Sequence, residues 1–459
     1  MNLPALSARF VALDDPTETH ALDEVVYTSR TGGLLEVRHD LAALAAHRDA
    51  EGWRALFTER RARSRLPHSS GVWVHREWVQ PELEDADLVS LGEGSSALYP
   101  AARLGGELGI GELYVKQCGT SHTGSFKDLG MTVLVSSVKR MISRGKPIRA
   151  VACASTGDTS AALAAYGAAA GIPVIVLLPK GKITDAQLVQ PIAHGALVAA
   201  LDTDFDGCMR VVRHLTHDPG IYLANSMNSL RVEGQKTVAY EIAEDLDWQA
   251  PDWVLVPGGN LGNVSALAKG FGELVDAGLL PRLPRLVCCQ AERANPLYLA
   301  YQRATAEGRA LEERDYAAIT AGETLASAIR IGAPVSLPKA VRALLRSGGV
   351  VEQASEQELA EAAARADRTG LFTCPHTAVA LACLDKLRRR GTIGPEERVV
   401  VVSTAHGLKF TEFKARYHAS SLPFPSESPN RPVELGDDPV EVAGALHRLL
   451  DQRAPRAST

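Results

Sequence analysis

A lysine at the start of a predicted helix has the setting of an amine that could form a Schiff base. Lys127 follows a run that contains serine, threonine and glycine, and an apolar helical pattern begins directly after it. The free N–H groups and the dipole at a helix N-terminus disfavour a further positive charge. They lower the pKa of the lysine and make its neutral amine a better nucleophile. The alternative is a surface lysine at an ordinary helix N-terminus.

A glycine-rich loop between a predicted strand and a predicted helix indicates an anion site. The strand covers residues 253–256, the helix begins near Val264, and the loop between them reads Pro257-Gly258-Gly259-Asn260-Leu261-Gly262-Asn263. Its glycines let the backbone approach an anion, and the helix N-terminus supplies N–H donors. Because the loop lacks the GxGxxG spacing and no ribose-binding acid follows it, a dinucleotide site is disfavoured. A tight turn without a ligand is the alternative.

Three other polar loops follow predicted strands, where α/β proteins place ligands. In the loop at residues 155–159, hydroxyls and exposed N–H groups suit a carboxylate. In the loop at residues 225–231, an arginine beside amide and hydroxyl groups suits a phosphate or a carboxylate. The loops contain Ser155, Thr156, Gly157, Asp158 and Thr159; Asn225, Ser226 and Arg231; and Ser403, Thr404 and His406. The alternatives are a capping loop for the first, a solvated loop for the second and a structural histidine for the third. A catalytic triad is disfavoured because the sequence has no GxSxG elbow.

An alternation of strands and helices positions these loops. Strands are predicted at 148–154, 174–178, 197–201 and 221–223, with helices at 159–170, 184–193 and 205–216. This rhythm indicates a parallel sheet covered by helices. Strands at 253–256 and 398–402 indicate a second α/β lobe, with one lobe inserted in the chain of the other. Outside the lobes, short helices are predicted at 40–47 and 51–63, and five prolines between 421 and 439 predict a surface strap before a last helix at about 438–452.

The composition is that of an ordinary globular protein. The 459 residues are 46% hydrophobic and 22% charged with a net charge of -5, which excludes a disordered or fibrous chain and offers no basic surface for nucleic acid. No apolar run approaches the ~20 residues of a membrane-spanning helix, and the N-terminal residues lack the pattern of a signal or transit peptide. Seven scattered cysteines without a CxxC pair predict free thiols in a reducing cytoplasm and no metal site.

One lysine, one anion-binding loop and several polar loops at strand ends together fit pyridoxal 5'-phosphate (PLP), which requires a Schiff-base amine and a phosphate site. Five segments also resemble, in the same order, the plant-type branch of the threonine synthase family, and a sixth, at residues 90–100, resembles the entry motif LGEGxTPL of its superfamily. They are SLGEGSSALYP (90–100), GTSHTGSFKDLGM (119–131), ACASTGDTSAALAAYGAAAGIP (152–173), NSMNSLRVEGQKT (225–237), VPGGNLGN (256–263) and STAHGLKF (403–410). The resemblance extends from about residue 20 to about residue 418.

The resemblance implies an α/β protein with the two-lobed tryptophan-synthase-β-like fold (PLP fold type II), built as a three-layer sandwich with PLP between the lobes. Residues 1–90 would form an N-terminal extension and residues 91–420 the PLP-binding catalytic core, with a smaller inserted lobe at about 132–224. Residues 421–459 would form the proline-rich strap and the C-terminal helix. The family also implies a homodimer, and no metal.

The resemblance assigns the cofactor site as well. Lys127 corresponds to the lysine that carries the cofactor and acts as the catalytic base. Thr404 corresponds to the residue facing the pyridine nitrogen, where a hydroxyl leaves that nitrogen largely unprotonated. Asp158 falls beside the cofactor's 3′-oxygen, and an ionised carboxylate there would repel a phenolate unless it were protonated or turned aside. The cofactor phosphate is expected to bind Gly258, Gly259, Asn260, Leu261, Gly262 and Asn263.

For the substrate, the resemblance implies that the loop with Ser155 and Thr156 holds a carboxylate. The residues implied for a substrate phosphate are Thr159, Asn225, Ser226 and Arg231. The implied reaction converts O-phospho-L-homoserine and water to L-threonine and phosphate by γ-elimination and β-addition of water, the last step of threonine biosynthesis. Closure of the smaller lobe is expected to exclude water until elimination is complete.

Two alternatives remain open. Another enzyme of the superfamily, such as a serine/threonine dehydratase or a β-replacing synthase, would not need a second phosphate site. A non-catalytic regulator could retain the fold, since fold alone does not establish function. Residues 66–72 and 89–97 correspond to segments that bind S-adenosylmethionine in plant enzymes, but they lack aromatic side chains for stacking on adenine. We therefore expect weak or absent activation by that effector.

Overall fold

A computed structural model describes residues 3–181 and 185–453 of the chain. Its strands, in chain order, are β1 (Ala8–Ala12), β2 (Thr19–Ala21), β3 (Leu35–His39), β4 (Leu98–Pro100), β5 (Glu112–Gln117), β6 (Ala150–Ala154), β7 (Val174–Pro179), β8 (Leu197–Leu201), β9 (Ile221–Leu223), β10 (Trp253–Pro257), β11 (Arg285–Ala291), β12 (Val350–Ala354) and β13 (Arg398–Ser403). The α-helices are α1 (Leu41–His47), α2 (Ala50–Ala62), α3 (Arg76–Val79), α4 (Ala102–Leu108), α5 (Lys127–Ser143), α6 (Asp158–Ala170), α7 (Asp185–Ala193), α8 (Phe205–Leu215), α9 (Leu230–Gln235), α10 (Thr237–Asp245), α11 (Gly262–Asp276), α12 (Pro296–Ala306), α13 (Leu337–Ser347), α14 (Glu356–Arg368), α15 (Pro375–Arg389), α16 (Thr411–His418) and α17 (Pro439–Arg453).

The larger lobe is built on a sheet of order β12-β11-β10-β13-β5-β4, in which only the β4–β5 pair is antiparallel. Alternate residues of its strand β10 belong to different hydrophobic cores. Val254 and Val256 share a core with α11, whereas Trp253 and Leu255 share a core with α15. Because helices cover both faces, the strand is apolar on both sides, and the lobe has the predicted three layers.

The smaller lobe has a fully parallel sheet of order β8-β7-β6-β9. Cys153 and Val176 pack with α5 and α6 on one face, and Ala152 and Leu177 pack with α8 on the other. Its strands lie in the chain between β5 and β10 of the larger sheet, so one lobe is inserted in the other as predicted. The exact domain limits given above stay a prediction.

The N-terminal region contains a three-stranded antiparallel sheet of order β2-β1-β3 that the sequence analysis did not predict. Phe10 and Val37 share a core with Phe271 of α11, so this sheet packs directly on the larger lobe. The predicted helices α1 and α2 are both present. Each has an aspartate at its N-cap, Asp40 and Asp49, whose side chain accepts a backbone N–H.

The predicted strand and helix limits in the smaller lobe agree with the observed ones to within about two residues. Residue 184, where the sequence predicted the start of α7, lies outside the described residues. Residues 420–438, which are all described, contain neither helix nor strand, and α17 begins at Pro439 as predicted. Throughout the described ranges, no helix combines the length and the apolar character needed to cross a membrane.

Candidate active site

Lys127 is the first residue of α5, and its loop is held against the loop that follows β13. The strands β5 and β13 are parallel neighbours, so their carboxyl ends meet at one edge of the sheet. The N–H of Phe126 donates to the carbonyl of Thr404 (2.9 Å), and Ser125 forms an antiparallel bridge with Ala405. These backbone bonds bring Lys127 and Thr404, which are far apart in sequence, to the same site.

The surroundings of Lys127 favour its neutral form. The pKa of its amine is lowered to about 7, first by burial and then by the positive charge of Arg231, while Asp158 acts in the opposite direction. The position at a helix N-terminus predicts a lowered pKa for Lys127, but burial and Arg231 are the main causes. An amine with this pKa is partly neutral at neutral pH, so it can act as a nucleophile and can carry a proton.

The glycine-rich loop leaves its backbone donors unused. Within the described residues, the N–H groups of residues 259–263 donate to no protein acceptor, and α11 begins at Gly262 without a side-chain cap. Leu261 has a left-handed φ of 65°. The Oδ1 atom of Asn260 accepts the N–H of Val335 (2.7 Å), which braces the loop through a side chain. Five free donors beside a helix N-terminus fit a phosphate group, as PLP requires.

The glycines of this loop serve different purposes. A Cβ atom on Gly258 would lie 2.3 Å from Cys288 Sγ, and one on Gly259 would lie 2.8 Å from a backbone atom. Packing within the protein therefore requires glycine at both positions. A Cβ atom on Gly262 would meet only Ser336 Oγ, at 3.8 Å. The space beside Gly262 is thus open, and a phosphate can approach the helix N-terminus from that side.

Arg231, on α9, is a buried cation without a carboxylate partner among the described residues. It is 3% exposed, and its guanidinium donates to the carbonyl of Ala224 (3.2 Å) and to Thr159 Oγ1 (3.3 Å). Its Nε atom is buried with no hydrogen-bond partner. Burial lowers the pKa of Arg231 to about 10, so the side chain stays charged at neutral pH. A buried, unpaired guanidinium with an unused donor is well suited to an anionic ligand.

The other predicted substrate residues lie around the carboxyl ends of the neighbouring strands β6 and β9. Both polar atoms of the Asn225 side chain bond to the backbone of Ala154, at 3.0 and 2.9 Å, so this amide joins the two loops. Its role in phosphate binding stays a prediction. Ser155 Oγ accepts a backbone N–H of its own loop (3.2 Å). The hydroxyls of Thr156 and Ser226 have no hydrogen-bond partner in the part of the chain that the structure describes.

Asp158 is the first residue of α6 and forms an ion pair with Lys409 (2.9 Å). Lys409 was not predicted as a site residue, although it lies in the segment STAHGLKF. The signal that could have found Lys409 is chemical. The resemblance implies that Asp158 lies beside the 3′-oxygen of the cofactor, and an acid beside an anionic oxygen needs a cation nearby. Lys409 provides that cation.

Two further residues next to Thr404 were not predicted. The N–H of Thr404 donates to Thr377 Oγ1 (3.2 Å), and its Oγ1 lies 3.9 Å from Cys374 Sγ. Burial acts to raise the pKa of the Cys374 thiol, but His376 and Thr377 together lower it to about 7. The hydroxyl of Thr404 is therefore held beside polar groups of the α15 N-terminus.

A buried ionic network ties α9 to the end of β3 and to α11. Glu233 of α9 bonds to His39 (2.8 Å), to Lys236 (2.7 Å) and to Lys269, and Glu273 also pairs with Lys236 (2.7 Å). His39 and the two glutamates lie close enough together to hold a metal ion. Both carboxylates are already paired with lysines, so the network fixes the helix that carries the buried arginine.

Comparison with known proteins identifies the family of the chain. Residues 89–405 match the family of pyridoxal-phosphate dependent enzymes. The chain is 54% identical over 453 residues to threonine synthase 2, chloroplastic, of Arabidopsis thaliana. This match covers 98% of this chain and 85% of the relative. It is 40% identical to the threonine synthase of Methanocaldococcus jannaschii, covering 95% of this chain and 98% of the relative.

Solved structures support the fold. The threonine synthase of Escherichia coli superposes with a TM-score of 0.65 at 20% identity, covering 96% of this chain and all of the other. A PLP-bound threonine synthase from Brucella melitensis has a TM-score of 0.62 at 18% identity and covers 93% of each chain. The predicted fold class, cofactor and family are confirmed. The chain belongs to the threonine synthase family of pyridoxal-phosphate dependent enzymes.

Proposed function

We propose that this chain converts O-phospho-L-homoserine and water to L-threonine and phosphate. The observation that carries the proposal is that the chain has two separate anion sites, one after β10 and one at Arg231, and that β10 pairs with β13, whose following loop is bonded to the loop of Lys127. The loop at residues 258–263 supplies free N–H donors for the cofactor phosphate. Arg231 supplies a buried, unpaired guanidinium for a second anion, and its charge acts directly on the Lys127 amine.

Bound PLP would supply the electron sink that makes elimination at the γ-carbon feasible. Lys127 would hold the cofactor and then move protons at Cα and Cβ of the substrate, which a pKa of about 7 supports. The hydroxyl of Thr404 would face the pyridine nitrogen, and Asp158 would lie beside the 3′-oxygen. The unpartnered hydroxyl of Thr156, with Ser155 beside it, would bind the substrate carboxylate together with free N–H groups at the start of α6.

Arg231 would bind the phosphate of the substrate and stabilise its negative charge as it leaves. Thr159 already contacts the guanidinium, and the unpartnered hydroxyl of Ser226 offers another donor. Asn225 would act by holding the loop at the end of β9 against the end of β6. Because Thr159 lies on α6, closure of the smaller lobe would complete this phosphate site and exclude water during elimination.

A serine/threonine dehydratase or a β-replacing synthase is the rival function. Those reactions involve one phosphate only, that of the cofactor, and would leave Arg231 buried without a counter-ion. The test is to load purified protein with PLP, record the visible absorbance of the bound cofactor, and supply O-phospho-L-homoserine, L-threonine and L-serine in turn. Release of phosphate and threonine from the first supports the proposal. A 2-oxo acid formed from threonine or serine, without phosphate release, supports the rival.

We also propose that the protein works as a homodimer in the cytoplasm, without a metal and with weak or absent activation by S-adenosylmethionine. All seven cysteines are free and buried, which suits a reducing compartment. The homodimer rests on the resemblance to the family and is tested by sedimentation of the PLP-loaded protein. Cell fractionation tests the location, and a manyfold rise in rate with added S-adenosylmethionine would overturn the effector prediction.

A further inference from the structure

Lys409 lies in the turn after β13, and its ammonium group has three acceptors on three different segments. Its Nζ atom donates to the carbonyl of Thr123 (2.9 Å) and to Gln190 Oε1 (3.0 Å), and it pairs with Asp158 Oδ1 (2.9 Å). The amide of Gln190 also donates to the Thr123 carbonyl, at 3.1 Å. All three donors of the ammonium are therefore used, in a closed set of four residues.

These contacts cross from one lobe to the other. Lys409 follows the β13 strand of the larger lobe, and Thr123 is in the loop that is bonded to the turn after that strand. Asp158 begins α6 and Gln190 lies within α7, and both helices belong to the smaller lobe. A single side chain thus joins the two lobes beside the loop that carries the catalytic lysine.

The ion pair is also shielded from water. The side chains of Lys409 and Asp158 are 20% and 10% exposed. A charge pair that is partly removed from water interacts more strongly than an exposed one, since the effective dielectric constant is lower. Without Lys409, the charge on Asp158 would face the cofactor region unbalanced.

We propose that Lys409 is a positioning residue that fastens the smaller lobe across the cleft and holds Asp158 in its place beside the cofactor. The kinetic part of this inference rests on the proposed function. The mechanical part does not, because it depends only on contacts between groups of the protein.

The first test measures hydrogen–deuterium exchange in cofactor-free protein. Lys409→Met removes the charge at similar length, Lys409→Arg keeps it, and Lys146→Met is the matched control at an exposed lysine beyond α5. We expect peptides covering the start of α6 and α7 to exchange roughly fivefold faster in Lys409→Met, which is the effect of losing about 1 kcal/mol. Peptides covering β10 and β11 should exchange at the wild-type rate, as should every peptide of the control.

The second test uses PLP-loaded protein and the Asp158→Asn variant. We expect Lys409→Met to shift the visible absorbance of the cofactor and to lower kcat about tenfold with a smaller effect on KM. Lys409→Arg should recover much of the loss. The double variant Asp158→Asn with Lys409→Met should lose less than the sum of the two single effects, because the pair acts as a unit.

Two results would overturn the inference. One is a wild-type rate of hydrogen–deuterium exchange at α7 in Lys409→Met, and the other is a double variant whose loss of kcat equals the sum of the two single losses. A failure of the proposed function is distinguishable from this. If the wild-type protein releases no phosphate from O-phospho-L-homoserine, the proposed function fails. The exchange rates and the cofactor absorbance still decide whether Lys409 fastens the lobe.

Discussion

The guanidinium of Arg231 donates to Thr159 Oγ1 at 3.3 Å and so links α9 to the first turn of α6. The same guanidinium lowers the pKa of Lys127. One buried cation therefore has two effects: it offers an unused donor that suits an anion, and it keeps the amine of Lys127 partly neutral. Any change at Arg231 should alter both properties together.

Replacement of Arg231 by alanine should remove the substrate's phosphate site and leave the cofactor site intact. We expect Arg231→Ala to lower kcat/KM for O-phospho-L-homoserine by about 100-fold or more, the usual cost of removing one donor aimed at a developing charge. The absorbance of bound PLP should persist. The control is Arg210→Ala, at an exposed arginine of α8. Wild-type kinetics in Arg231→Ala would contradict the assignment.

The pH dependence of PLP capture by cofactor-free protein should report the pKa of Lys127. Only the neutral amine attacks the cofactor, so the rate should rise with pH, with a midpoint near 7, and then level off. In Arg231→Ala the midpoint should move to higher pH, because a positive charge that lowers the pKa of Lys127 is gone. Stopped-flow absorbance measures both profiles. A wild-type midpoint near the ordinary lysine pKa would contradict the account.

Two glycines of the loop at residues 258–263 should respond differently to alanine. Gly258→Ala places a methyl group against Cys288, and we expect the free energy of unfolding to fall by about 1–3 kcal/mol. Gly262→Ala adds a methyl group in open space, so the free energy of unfolding should stay close to that of the wild type while the affinity for PLP falls. Urea unfolding and PLP titration of both variants check this. Equal effects on stability in the two variants would be the contrary result.

Much of the smaller lobe could be predicted because its local patterns and its tertiary structure agree. The strand 197–201 and the helix that follows it were both found from apolar runs and turn residues. The N-terminal sheet was missed because β1, β2 and β3 follow one another without the alternating helices that mark the smaller lobe, and because β1 and β3 are stabilised by pairing with each other. Pairing of that kind has no signature within either segment.

The candidate site was predictable where one segment carries the chemistry and less so where partners meet in space. Lys127 and the loop at 258–263 have clear local patterns. Cys374 and Thr377 come to the site through packing of a separate segment, and no local pattern marks them. Lys409 lies in the segment STAHGLKF, but its role depends on Asp158, which is far away in the sequence. The pKa of Lys127 shows the same limit, since its causes are burial and an arginine far along the chain.

The ionic network around Glu233 should contribute strongly to stability. Burial acts to raise the pKa of Glu233, but Lys236, Lys269 and His39 hold it well below its ordinary value. A carboxyl whose pKa is depressed on folding stabilises the protein above its unfolded pKa of about 4.5, and that stability is lost as the pH falls below it.

We therefore expect Glu233→Ala to lower the free energy of unfolding at pH 7 by about 3–5 kcal/mol, because among the described residues it leaves the two lysines Lys236 and Lys269 with one carboxylate, Glu273, between them. The exposed Glu412→Ala is the control and should behave as wild type. Urea unfolding between pH 7 and pH 3.5 measures the effect, and the loss of stability on acidification should be smaller in Glu233→Ala than in wild type. A loss below 1 kcal/mol at pH 7 would show that the network contributes little.

The most direct test of the central claim is the stoichiometry of products from O-phospho-L-homoserine. Purified protein loaded with PLP should release one phosphate for each L-threonine formed, and Arg231→Ala should lose both products together. Bound cofactor without phosphate release, accompanied by 2-oxobutanoate from L-threonine, would contradict the claim.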